Sequence, residues 1–157
     1  NGSNWILYRV SDVMLMKAEA LAFLYPDESP ELSTAFKLVQ AIYDRSNPGM
    51  ESKDYLSEES YKTAQGMQEL VMRERHREFF GEGKRWFDLV RMAQRDGKTE
   101  NMLNQLVMKY SNNASSIKAK LGTLNSLFNP VSKSEMKINT ALVQNPVWDV
   151  EEDIERN

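Results

Sequence analysis

Over the first half of the chain, apolar residues return every three or four positions. Between Val10 and Tyr25 they fall at Val10, Val13, Met14, Ala18, Leu21 and Tyr25, the rhythm of one helix face. Leu15, Ala22 and Leu24 widen that stripe, which predicts a helix covered on more than one side. The turn YPDESP ends it at Pro30. A second helix over about 31–46 presents Leu32, Ala35, Phe36, Val39, Ile42 and Tyr43, and NPG (Asn47, Pro48, Gly49) stops it. Two helices joined by so short a turn predict an antiparallel hairpin over 10–47. Residues 50–57 are polar. A third helix is predicted over about 57–80, Gly81 and Gly83 break the chain, and a fourth runs over about 84–95 to the DGK at Asp96. Its inward stripe is Trp86, Leu89, Val90 and Ala93, and the pair forms a second hairpin over 57–95.

The pattern weakens beyond that point. Met102, Leu103, Leu106, Val107 and Tyr110 suggest a helix, and SNNASS interrupts it before Ile117, Leu121 and Leu124. The tail over 127–157 reads as mostly irregular. Ser132 with Glu135 fits a capping box for one helical turn, and the last eight residues are acidic and predicted to fray. One helix pair cannot bury its own apolar face, so successive hairpins predict a stacked, tetratricopeptide-like arrangement. The expected fold is all-α: tetratricopeptide-like helical hairpins with an irregular C-terminal tail, 1–157 forming a single domain.

Composition narrows the chemistry. The 157 residues are 41% hydrophobic and 27% charged, enough apolar material for one domain with a core. The net charge of −3 supplies no general attraction for nucleic acid. There is no cysteine, which excludes disulfides, thiolate zinc sites and thiol catalysis. His76 is the only histidine, so a His-rich metal site on a single chain is excluded. Arg73, not Glu, stands three residues before it, so the Glu-x-x-His pairing of di-iron bundles fails. No apolar run reaches the roughly 20 residues that cross a bilayer, and no signal peptide is expected within these residues. The expectation is no metal and no cofactor.

The densest chemistry lies in RERHREFFGEGKRWFDLVR, Arg73 to Arg91. Met67, Leu70 and Val71 set an apolar stripe whose next positions are Glu74 and Glu78. A buried carboxylate must find a cation or a proton. Arg85, Arg91 and Arg9 are candidates, and the planar guanidinium suits such pairing. The expected arrangement is a structural ion network of Arg9, Glu74, Glu78, Arg85 and Arg91 that locks the hairpins together. Adjacent-turn carboxylates share one helix face and do not flank a sugar from opposite sides, so glycosidase chemistry is not expected. Arg73, Arg75 and Arg77 are neutralised at neighbour spacing by Glu69, Glu74 and Glu78, which argues against a nucleic-acid grip.

These residues resemble a known family. Glu74 to Arg91 is similar to the E-R-x-R-E-x-x-x-E-G-x-R-x-x-D-L-x-R signature of SusD/RagB-type nutrient-binding outer-membrane lipoproteins of Bacteroidetes. YRVSDVMLMKAEAL, Tyr8 to Leu21, resembles the family's R-Y-A-E-V-L-L-x-x-A-E-A helix. PVSKSEMKINTALVQNPVW, Pro130 to Trp148, resembles its closing P-I-P-x-x-E-I-x-x-N-P-x-L-x-Q-N-P-G-W. Ser132, Thr140 and Val147 depart from that pattern at loop positions, and about 98–126 is unmatched. Family members are longer, so the chain reads as a C-terminal portion.

The resemblance implies a helical, non-catalytic protein held at the cell surface by an N-terminal lipid. It implies a glycan or other nutrient as ligand and a TonB-dependent SusC-like transporter as partner, with no nucleic acid and no other membrane contact. The family's motifs belong to its scaffold, so no ligand residue follows from them. Aromatic faces that lie off the core stripes, Trp5, Tyr55 and Tyr61, are the residues to inspect for sugar stacking. A generic tetratricopeptide-like protein-interaction adaptor is the second reading.

Overall fold

The computed structural model describes residues 7–49, 51, 55–107 and 111–148. The described residues are all-α, with no strand among them: α1 (Val10–Leu24), α2 (Pro30–Ser46), α3 (Ala64–Glu78), α4 (Arg85–Asp96), α5 (Glu100–Val107), α6 (Ala114–Lys120) and α7 (Lys133–Ile138). The chain divides into two compact units, 1–85 and 86–157. The division falls within the span read from sequence as the second hairpin.

In the first unit α1 and α2 pair as a hairpin, and α3 packs chiefly on α1. Local chemistry starts and stops these helices. Ser29 caps α2 by accepting from Leu32 N, and Pro30 occupies the first turn, where no amide donor is needed. Thr63 caps α3 by accepting from Gly66 N. Asp27 Oδ1 accepts from Ala64 N at 2.7 Å, so the α1–α2 turn helps to cap α3. The predicted third helix starts later than its pattern suggested: Glu58–Tyr61 is a 3-10 turn, and the α-helix begins at Ala64.

The core joins Leu15, Ala18 and Ala22 of α1 to Leu32, Phe36, Val39 and Ile42 of α2 and to Met67, Leu70 and Val71 of α3. The α2 stripe lies as predicted, apart from Tyr43, which is half-buried. The α1 stripe does not. Its buried face is Ser11, Asp12, Leu15, Ala18, Glu19 and Ala22, whereas Val10 and Val13 are 75% and 58% exposed. The helix is turned so that polar groups with partners face inward.

The second unit gathers Leu89, Val90 and Ala93 of α4, Met102 and Leu103 of α5, and Leu127, with Ile117, Leu121 and Leu124 against them. Trp86 does not share the inward stripe assigned to it and is 37% exposed. The expected capping box at Ser132 does not form. Ser132 is the N-cap of α7 but makes no side-chain cap, because its hydroxyl pairs with that of Ser134 at 2.6 Å. Side-chain amides hold the tail. Gln144 accepts from Val131 N at 2.9 Å and donates to Val131 O at 3.0 Å. Asn145 Nδ2 donates to Asn125 O at 2.7 Å, and Trp148 Nε1 donates to Phe128 O at 2.9 Å. The acidic terminus after Trp148 lies outside the described residues.

Candidate functional site

The charged corner of the first unit forms where the C-terminal end of α3 meets the start of α1. Glu78 sits on the last turn of α3 with its side chain 6% exposed. Arg45, in the last turn of α2, grips both carboxylate oxygens of Glu78 at 2.6 and 2.7 Å. Arg9 pairs with the same carboxylate through Nη1, which also donates to Ser11 Oγ at 2.7 Å. Its Nη2 donates to the carbonyl of Glu78 at 2.5 Å and to Glu82 Oε1 at 2.7 Å. One guanidinium thus closes an open carbonyl at the helix C-terminus and ties α1 to the glycine turn beyond α3.

A second buried group lies beside it. Asp12 is 1% exposed. It pairs with Arg75 Nη2 at 3.3 Å and with Lys84 Nζ. Three cations surround the ring of Phe79, with Lys84, Arg9 and Arg75 at 4.7, 4.8 and 5.0 Å from its centroid. An aromatic face attracts each of them, so Phe79 serves both packing and electrostatics. Glu74 is 2% exposed. Its Oε2 has no hydrogen-bond partner among the described residues, and Arg77 Nη1 stands 3.5 Å away.

The electrostatics of the two acids differ in sign. Burial pushes Glu74 above the ordinary carboxylate range, and Arg77 offsets only part of this. Burial acts on Glu78 in the same direction, but hydrogen bonds from Arg45, Ser11 and Arg9 outweigh it and carry Glu78 below that range. Arg9 is raised, first by its bond to Glu82 and then, against burial, by Glu78.

Of the expected network, the structure brings Arg9 and Glu78 together. Glu74 is buried as expected, and Arg77 on its own helix approaches it at 3.5 Å. Arg85 reaches the carbonyl of Met72 at 3.5 Å, and Arg91 pairs with Asp88 one turn before it at 2.9 Å. Sequence reasoning missed Arg45, Asp12, Arg75 and Lys84. For Asp12 a signal existed: Asp12 and Glu19 are seven residues apart, on the face shared by Leu15 and Ala22. For Arg45 the signal was only its place near the end of a helix. Among the aromatic candidates, Tyr55 is 55% exposed. Tyr61 is half-buried, stacked on Phe36 at 6.3 Å, and its hydroxyl accepts from Arg73 Nη2 at 2.6 Å. Trp5 lies outside the described residues.

Glu78, Glu82 and Asp12 are paired with arginine or lysine, and Glu74 is enclosed on a helix flank. That is the chemistry of a joint between helices. A family model described as the SusD family matches residues 1–148, a span that takes in α1, the charged corner and the amide-held tail. No curated protein and no solved structure matches the chain. With nearly its whole length matched by that model, the chain belongs to the SusD family.

Proposed function

We propose that the chain is part of a non-catalytic cell-surface protein that binds a glycan, or another nutrient, and delivers it to a TonB-dependent, SusC-like outer-membrane transporter. The observation that carries this reading is the family match over residues 1–148. The full-length protein is held at the outer membrane by a lipid at its N-terminus. Residues 1–157 act as one helical scaffold domain, and recognition falls outside the charged corner. The disposition of that corner supports the reading. Arg9 and Arg45 both engage Glu78, and Arg75 engages Asp12, so these charges are spent on holding helices. Arg73 is likewise bonded to Tyr61, which leaves the basic run poorly placed for phosphate.

The test uses the full-length protein. It is passed over a glycan array and, separately, isolated from membranes together with whatever accompanies it. Capture of one glycan class and co-isolation of a barrel transporter are the expected results. A product located in the cytoplasm and without an export signal would favour the adaptor reading. Release of reducing sugar from the array glycans by the purified protein would overturn the non-catalytic assignment.

A further inference from the structure

The α1–α2 turn and the 3-10 turn before α3 flank an open cavity of about 290 Å³. Glu28, Ser29, Ser33, Glu58, Tyr61 and Lys62 line it, with Pro30 and Leu32 supplying apolar surface. Its backbone frame and Tyr61 are held in place before any ligand arrives. Glu28 N donates to Lys62 O at 2.7 Å, and Asp27 accepts from Ala64 N, which together join the two turns. Tyr61 is clamped between its stacking on Phe36 and its bond from Arg73. Glu28 is the one non-glycine residue with positive φ among those described, at 60°. Such a conformation is strained for a side chain with a Cβ, and the surrounding bonds maintain it. Walls already ordered lose little entropy on binding.

The lining chemistry selects a ligand. The carboxylates of Glu28 and Glu58 and the hydroxyl of Ser33 have no hydrogen-bond partner among the described residues, whereas Lys62 is already bonded to Glu59 at 2.7 Å. Free carboxylates beside an aromatic edge and a proline face suit a ring with hydroxyls on its rim and C–H groups on its face. The volume lies just below the roughly 300 Å³ at which pockets for drug-sized molecules begin, room for about one ring within it. The local field is negative. Glu28 and Glu58 line the cavity together with one cation, Lys62, which they share with Glu59, and Glu31 follows in the first turn of α2, so acids outnumber the base. The half-charge of the α2 N-terminus opposes these acids only in part.

We propose that this cavity is a subsite for a single uncharged or amino-bearing sugar ring of the captured glycan, and that it rejects uronic acids. The proposal rests on the glycan-binding reading above and adds to it a place and a charge preference. Saturation-transfer NMR on the full-length protein tests it, with the methyl glycosides of glucose, galactose and mannose, glucosamine, and glucuronate as probes. Signal from glucosamine and from at least one neutral glycoside, with none from glucuronate, is the expected result. Ser33→Trp, which fills the cavity from a half-buried position on α2, removes that signal. The paired change Glu28→Gln and Glu58→Gln admits glucuronate and lowers the glucosamine signal several-fold. Circular dichroism confirms that each variant keeps its helices. Signal unchanged in Ser33→Trp, equal signal from glucuronate in the wild type, or no signal from any probe would each overturn the subsite. The wider reading fails separately, when the array captures no glycan.

Discussion

Glu74 and Glu78 stand one turn apart on α3, and their surroundings give them opposite effects on stability. Glu78 is held below its ordinary range, so its stabilisation is complete above the unfolded carboxylate pKa of about 4.3 and is lost as pH falls through the lower folded value. Glu74 is held above its range, so its folded form prefers the proton. Its cost is absent in acid and grows as pH rises from about 4.3 through the raised value. Glu74→Gln keeps the shape and removes the buried charge. It is expected to stabilise the fold by about 1 kcal/mol at pH 7, an advantage that closes by about pH 4. Glu78→Ala is expected to cost about 3 kcal/mol at pH 7, the low end for a broken buried pair, because the half-exposed Arg45 can turn to water. Urea unfolding of both variants across pH checks the two signs. A loss below about 1 kcal/mol for Glu78→Ala would mean that the corner is merely solvated. Glu74 was legible in the sequence because it continues the stripe set by Met67, Leu70 and Val71. The partners were not, since pairing between separate helices depends on their docking, which periodicity does not encode.

At the scale of elements, punctuation residues decided what could be read. Pro30 and Gly49 bracket α2, and its helix lies within a residue of the expected span. Neither Pro nor Gly stands between Ser57 and Ala64, and the weaker mark, Thr63 as the cap of α3, does not outweigh the pattern, so the 3-10 turn falls within the predicted third helix. Helix α1 is apolar nearly all round, so its phase was ambiguous, and the inward side was fixed by Asp12 meeting Arg75 and Lys84. The glycine turn after α3 was legible, and the structure supplies its reason. Gly81 and Gly83 have φ of 80° and 73°, and a Cβ at either would meet nothing within 4 Å. The demand is therefore conformational, with no steric part. Gly81→Ala is expected to lower stability by about 1–2 kcal/mol. Gly81→Asn is expected to lose about half as much, because asparagine tolerates the left-handed region. Thermal unfolding separates the two. Equal losses for both substitutions would point instead to crowding.

At the scale of the whole molecule, the outer side of α1 remains to be explained. Val10, Val13, Met16 and Leu24 stand 41–75% exposed on a helix whose other side is fully committed to α2 and α3. A helix apolar on both sides belongs in an interior, and this exposed apolar face, interrupted by Lys17, is an adhesive surface. The sequence pattern showed this much, since Leu15, Ala22 and Leu24 already widened the stripe beyond one face. It could not show which side would be left open. The 157-residue chain is therefore expected to associate in solution, its scattering mass rising with concentration. Val13→Lys together with Leu24→Lys changes only exposed positions, so helix content should hold while the mass returns to that of a monomer. A wild-type chain that stays monomeric at every concentration would contradict the prediction. Association that survives both lysines would move it to another surface, the exposed Phe80 and Phe87 being the next to change.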